Sequence, residues 1–195
     1  MYQPEHVLNG IVVNRAAQRF IAEESYHAVV GNEICYRQQG EAYLITDADS
    51  QYGYQDYRVE EIARADSIAE LELKLSMPKG ALQHNVAYYN EHASEGRDPL
   101  FHKDKAFLAP LIKAPFIAYD LSVDKAFFTS HTFGGLHTTV KGEVLDAWGE
   151  SIPGLYAAGR TTSGLPTAPY IASGISLGDC TFFGRQAGKC AGEAV

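Results

Sequence analysis

An apolar strand that ends at a glycine constrains this chain more than any other feature of its sequence. Leu155-Tyr-Ala-Ala-Gly159 follows Pro153-Gly154, and the Thr-, Ser-, Gly- and Pro-rich stretch 160–173 leads on to Gly174, which opens a helix through about Ala191. Small residues fall along that helix at Gly174, Gly178, Gly184 and Ala187. A strand ending in glycine, a loop and a helix start together present backbone N–H groups to an anion or an electron-rich ring. Just upstream, Thr132 to Val140, a Lys141-Gly142 turn and Glu143 to Trp148 predict an antiparallel hairpin. Neither GxGxxG nor GxxxxGK(S/T) occurs, so the chain carries no dinucleotide or P-loop fingerprint of its own.

The front of the chain reads as α+β. Gly10 to Asn14 predicts a buried strand with Gln18 to Ile21 as its return, Glu23 to Val30 the start of a helix, and Ala42 to Thr46 a second strand. Ser67-Ile-Ala-Glu70 has the capping-box spacing, in which the serine caps a helix and the glutamate reaches back. That helix carries Leu71 and Leu75 and stops before Pro78. Leu82, Val86 and Tyr89 then fall on one face of another helix, which ends near Gly96. The character changes after Pro115, which places a boundary near 113 to 116 and two units at 1–113 and 114–195.

Sixteen basic against 24 acidic residues leave a net charge of −8, which disfavours nucleic acid or an anionic membrane as the main partner. Cys35, Cys180 and Cys190 lie far from any CxxC spacing and read as free thiols in a reducing compartment. The best membrane-span candidate, Ala106 to Leu121, is interrupted by Pro110, Lys113, Pro115 and Asp120. The start Met1-Tyr-Gln-Pro-Glu-His lacks the form of a signal peptide, so the expected location is cytoplasmic. His131 and His137 have no third ligand nearby in sequence, so no metal site is expected.

The tail carries a resemblance. Ile152-Pro-Gly-Leu-Tyr-Ala-Ala-Gly159, with Phe133-Gly-Gly135 and Gly142-Glu-Val-Leu-Asp146 before it and Gly174-Ile-Ser-Leu-Gly-Asp-Cys-Thr-Phe-Phe-Gly-Arg-Gln-Ala-Gly188 after it, resembles the end of FAD-dependent oxidoreductases of the fumarate reductase/succinate dehydrogenase flavoprotein superfamily. Gly10-Ile-Val-Val-Asn14 with Arg19-Phe20 and Glu23-Glu24 is similar to the superfamily's capping-domain segment. Tyr89-Asn90, Gly96-Arg-Asp98, Phe101 and Ala114-Pro-Phe116 follow in the expected order. The resemblance implies a substrate-capping segment, 1–113, followed by the C-terminal hairpin, strand and helix of an FAD-binding α/β domain, 114–195, with the N-terminal Rossmann unit lacking. FAD is the implied cofactor. His131, Gly134, Ala158, Gly159, Arg160, Gly174, Ile175, Ser176 and Leu177 are the implied contacts. Arg160 stands where the superfamily often has a glutamate, and a guanidinium can only donate hydrogen bonds.

Within the superfamily, dicarboxylate chemistry is disfavoured. The loop Thr161 to Ser173 contains no arginine and offers Thr167, Tyr170 and Ser173, and Asp47 to Tyr57 holds no cation. Hydroxyl donors beside apolar neighbours suit a neutral ketone that is deprotonated next to its carbonyl. The Tyr170…Ser173-Gly174 pattern and the Tyr26 that follows Glu24-Ser25 are similar to the 3-ketosteroid dehydrogenases that introduce the 4,5 double bond. That resemblance implies Tyr170, Tyr26 and Ser173 as catalytic residues, proton removal beside the ketone, hydride transfer to FAD, and a small apolar steroid-like ketone as substrate. The plainer readings are a packed tyrosine at 170, a core-facing Tyr26 and a Ser173 that caps the last helix.

Two other classes stay open on sequence: a fumarate-reductase-type flavoprotein, and a non-catalytic remnant acting as an interaction subunit. Without a GxGxxG loop the chain alone is expected to bind FAD weakly or not at all. The apolar surfaces of Leu155–Ala158 and Gly174–Ala191 are expected to favour homo-oligomers or pairing with a Rossmann half.

Overall fold

The structure, a computed structural model, describes residues 9–50, 59–126, 133–168 and 170–194. It divides into two compact units, Met1–Phe128 and Thr129–Val195. The first is built on a four-stranded antiparallel sheet of β1 (Ile11–Val13), β2 (Tyr43–Thr46), β3 (Glu60–Ala65) and β4 (Phe116–Asp120), in the order β1-β2-β4-β3. Strand β4 lies between β2 and β3, in register with Leu44 opposite Tyr119 and Arg64 opposite Ile117. The unit therefore runs past the boundary read at 113/114, because residues 116–120 are needed to join its sheet.

The two-residue alternation of a strand sorts this sheet's side chains into two cores. Ile11, Val13, Ile45 and Ala118 face helices α2 (Ile68–Lys74) and α3 (Ala81–Ser94), which contribute Leu71, Leu82, Val86 and Tyr89. Val12 and Leu44 face the other way, toward Val30 and Ile34 of helix α1 (His27–Arg37). The serine cap forms as read, Ser67 Oγ accepting from Glu70 N at 3.2 Å, while Glu70 reaches back one residue beyond the cap, to Asp66 N at 3.3 Å. Helix α1 begins later than Glu23, because Glu23 is committed elsewhere and Tyr26 takes the N-cap position. The return strand read at Gln18 to Ile21 is reduced to one bridge, Val13 to Arg19, after a turn that Asn14 ties by accepting from Ala16 N and Gln18 N.

Glu72 departs from the apolar pattern of α2. It is buried and accepts four hydrogen bonds, from Gly80 N at 2.6 Å, Leu82 N at 2.8 Å, Gln83 N at 3.2 Å and Gln83 Nε2 at 3.1 Å. One carboxylate thus satisfies the start of α3, whose positive end favours it. Burial acts to raise its pKa, but these donors outweigh it and hold the carboxyl below its ordinary value. Glu72→Ala is expected to cost about 1–3 kcal/mol by leaving buried donors unpaired. The stabilisation is present above the ordinary carboxylate range and fades as pH falls through the lowered value. Urea denaturation at pH 7 and at pH 3 checks both: the gap between variant and wild type should shrink at pH 3.

The second unit holds a two-stranded sheet of β5 (Glu143–Leu145) and β6 (Ser151–Tyr156), and helix α4 (Ile175–Glu193). The hairpin read across Lys141-Gly142 survives as a bridge between Thr138 and Val144, while β5 takes β6 as its ladder partner. Asp146 makes that second turn, accepting from Trp148 N at 2.9 Å and Glu150 N at 3.0 Å. Gly142 is required where it stands: its φ is +85°, and a Cβ there would lie 2.5 Å from Ala187 Cβ on α4. Leu155, Leu177 and Phe182 are exposed. Among the described residues, no helix is long and apolar enough to cross a membrane.

Candidate functional site

The glycine-ended strand becomes a tight corner. Gly159 adopts φ +71° at the start of a 3-10 turn, Gly159–Thr161, and a Cβ on it would meet Cys180 Sγ of α4 at 2.8 Å. Thr162 closes the turn, its N and Oγ1 donating to Gly159 O at 2.9 and 2.7 Å. Gly135 packs against the same turn, where a Cβ would sit 2.5 Å from Thr161 O, and Leu136 N donates to that oxygen at 2.9 Å. Asp179, buried on α4, accepts from Leu165 N at 3.1 Å and fixes the loop that follows. Turn, loop and the front of α4 are thus one packed piece.

A pocket opens there, lined by Phe133, Gly159, Arg160, Thr162, Pro166 and Asp179. Arg160 is exposed, and its guanidinium lies 5.9 Å from the centroid of the Phe133 ring, within cation–π range. Phe133 in turn stacks nearly parallel on Tyr170, at 5.8 Å between centroids and 7° between planes. The Tyr170 hydroxyl donates to Ser176 Oγ at 3.0 Å and accepts from Ser176 N at 3.0 Å. The loop tyrosine is thereby tied to the first turn of α4.

The other expected site residues fall as follows. Gly174, not Ser173, is the N-cap of α4, with φ +90°, so the capping reading of Ser173 gives way to a left-handed glycine. Ser173 lies exposed just before it, Ile175 and Ser176 are half-buried, and Leu177 is exposed. Ala158 precedes the Gly159 turn as its N-cap. Tyr26 belongs to the first unit, half-buried, with its ring 4.2 Å from that of His27. His131 lies outside the described residues. The reading of Phe133 only as the neighbour of a glycine pair, and of Ser176 only as a cofactor contact, missed their joint hold on Tyr170. The aromatic residue directly before Gly134-Gly135 was the one available signal.

These residues suit the isoalloxazine end of a flavin. Apart from the residues on either side in the chain, no described atom lies within 4 Å of where a Cβ on Gly134 or Gly174 would stand, so a flat ring can approach the backbone at both. The 19-residue helix α4 directs its first-turn N–H groups outward from that end.

The family model described as an FAD binding domain matches residues 7–177. The crystal structure of 3-ketosteroid-Δ4-(5α)-dehydrogenase from Rhodococcus jostii RHA1, in complex with 4-androstene-3,17-dione, superposes with a TM-score of 0.84 at 41% identity, over 97% of this chain and 40% of that one. NADH:acrylate oxidoreductase of Vibrio harveyi is 33% identical over 96% of this chain and 19% of its own length. A cytochrome-type fumarate reductase of Shewanella frigidimarina is 32% identical over 92% of this chain and 31% of its own length. The chain thus spans less than a third of these two curated relatives.

Proposed function

From the premise that this chain belongs to the FAD-binding flavoproteins of the fumarate reductase superfamily, an enzyme family of oxidoreductases, we propose that it serves the dehydrogenation of a 3-ketosteroid-like substrate. One observation carries the substrate class. The loop between the Gly159 turn and α4 presents no arginine along Thr161 to Ser173, and instead a tyrosine hydroxyl anchored at the helix start. A dicarboxylate needs cations to replace its water, whereas a ketone needs hydroxyl or N–H donors at one oxygen. The 41% identity to a dehydrogenase crystallised with a steroid dione supports the same choice.

FAD, when bound, supplies the acceptor for a hydride. Gly134, Ala158, Gly159, Gly174, Ile175, Ser176 and Leu177 would hold its ring end, and His131 and Arg160 would border it. In the proposed reaction, Tyr170 first passes its own hydroxyl proton to solvent and then takes the proton from the carbon beside the ketone, its O–H bond forming again as that C–H bond breaks. The adjacent carbon loses its hydrogen as hydride, so a C=C bond forms and the substrate is oxidised by two electrons. Ser173 is the proposed partner in binding and proton movement.

The test is anaerobic reduction of the flavin by a 3-ketosteroid in single turnover, using this chain with FAD and, if it binds FAD too weakly alone, with a relative's GxGxxG-bearing half supplied in trans. Bleaching of the oxidised flavin band by the steroid is expected. Reoxidation of reduced flavin by fumarate or acrylate, with no response to the steroid, would replace this reading by the reductase one that two relatives' names favour.

A further inference from the structure

We propose that Ser176 is the positioning residue for the Tyr170 hydroxyl, supplying two hydrogen bonds that aim it and, once it is ionised, a second donor to it. The role rests on Tyr170 being the proton acceptor proposed above. The geometry is unusual for residues six apart: one serine meets one phenol oxygen twice, through its Oγ and its own backbone N, each at 3.0 Å. The backbone N–H belongs to the first turn of α4, where N–H groups have no intrahelical acceptor and the helix end is positive. The phenol therefore satisfies an orphan donor, and its oxygen is fixed relative to the helix rather than left to the loop.

The serine hydroxyl does what a fixed donor or acceptor could not. It carries one O–H and two lone pairs, so it accepts from the neutral phenol and, by rotating, donates to the phenolate. The ring has little freedom to follow another partner, because it stacks on Phe133 at 5.8 Å and 7°. Ser173, the serine that the sequence pattern favoured, is exposed and sits beside the Gly174 cap.

Three variants decide the matter, with 3-fluorotyrosine placed at position 170 as a reporter that needs neither flavin nor substrate. Ser176→Ala is expected to shift the fluorine resonance and Ser176→Thr to restore it, at equal helix content by circular dichroism. In flavin reduction by the 3-ketosteroid, Ser176→Ala should lower the limiting rate about tenfold, the worth of one hydrogen bond, with the half-saturating steroid concentration unchanged. Ser176→Thr should recover most of that loss. A fluorine resonance indifferent to Ser176→Ala overturns the proposal, as does a wild-type limiting rate in that variant when Tyr170→Phe is impaired. So does a loss that appears only as weaker FAD affinity, which would leave Ser176 a cofactor contact with no part in placing Tyr170. If Tyr170→Phe itself reduces flavin at the wild-type rate, the reading of Tyr170 fails first and takes this role with it.

Discussion

Tyr170→Phe is expected to slow single-turnover flavin reduction by roughly 10²–10⁴-fold, the usual worth of general acid–base catalysis, while the fold stays intact. The substitution removes one oxygen and keeps the ring, so the parallel stack on Phe133 can persist. What it removes is the group that bonds Ser176 twice at the head of α4. If the hydroxyl only orients the steroid, the loss will appear in the half-saturating concentration and not in the limiting rate. Ser173→Ala should give a smaller loss that does not add to it if the two residues act together. Stopped-flow decay of the oxidised flavin band under anaerobic conditions reads the chemical step apart from reoxidation. A rate for Tyr170→Phe close to wild type would leave it as a packed loop tyrosine.

The second large effect is on stability. Glu23→Ala is expected to destabilise the first unit by about 3–5 kcal/mol, the cost of breaking a buried ion pair from one side. Glu23 is fully buried, and its carboxylate accepts from Arg19 Nε at 3.0 Å and Nη2 at 2.9 Å, from Val12 N at 3.0 Å, and pairs with Lys103 Nζ at 3.2 Å. Asp98 takes the other edge of the same guanidinium, at 3.1 and 2.9 Å. Tyr89 and Phe101 lie near its flat face, at 4.8 and 5.2 Å from ring centre to Cζ. Without Glu23, Arg19 would keep Asp98, while the buried Lys103 ammonium would lose its carboxylate partner and keep the Gly10 carbonyl at 2.7 Å.

Acid should act in the same direction as that substitution. Burial works to raise the Asp98 carboxyl, but the Arg19 hydrogen bonds and charge outweigh it, and the carboxyl is held below its ordinary value. A carboxylate depressed on folding stabilises fully above its unfolded pKa and loses that contribution as pH falls through the folded one. The wild type should therefore lose stability below the ordinary carboxylate range, and Asp98→Asn should flatten that part of the profile. Chemical denaturation followed by circular dichroism at pH 7, 5 and 3 measures both variants.

What could be read from the sequence was whatever depends on near neighbours. The serine cap at Ser67, the Leu82–Val86–Tyr89 stripe and the glycine-opened α4 are local patterns, and the structure contains each of them. Strand β3 was not legible, because Glu60-Glu-Ile-Ala-Arg-Ala65 is an edge strand whose mostly polar side chains show no apolar alternation. Strand β4 hid inside an apolar run broken by prolines. Arg19 and Glu23 could be recognised as part of a motif, but their partners Asp98 and Lys103 lie far along the chain, and no local spacing announces such a pairing. At the site, Tyr170 could be singled out, while its actual partner depended on the glycine cap falling one residue after Ser173.

The sheet order β1-β2-β4-β3 also sets a timetable for the ribosome. Strand β3 leaves the exit tunnel with no ladder partner, since the strand that joins it to β2 is made some fifty residues later, at Phe116–Asp120. Until that segment emerges, the nascent chain holds two sheet halves with facing unpaired edges, and α2 and α3 have half a floor to pack on. A ribosome-bound chain stalled before Phe116 should be cut readily by protease across β3. One stalled long enough after Asp120 for that strand to clear the tunnel should resist, since the first unit's last strand to be translated is its keystone.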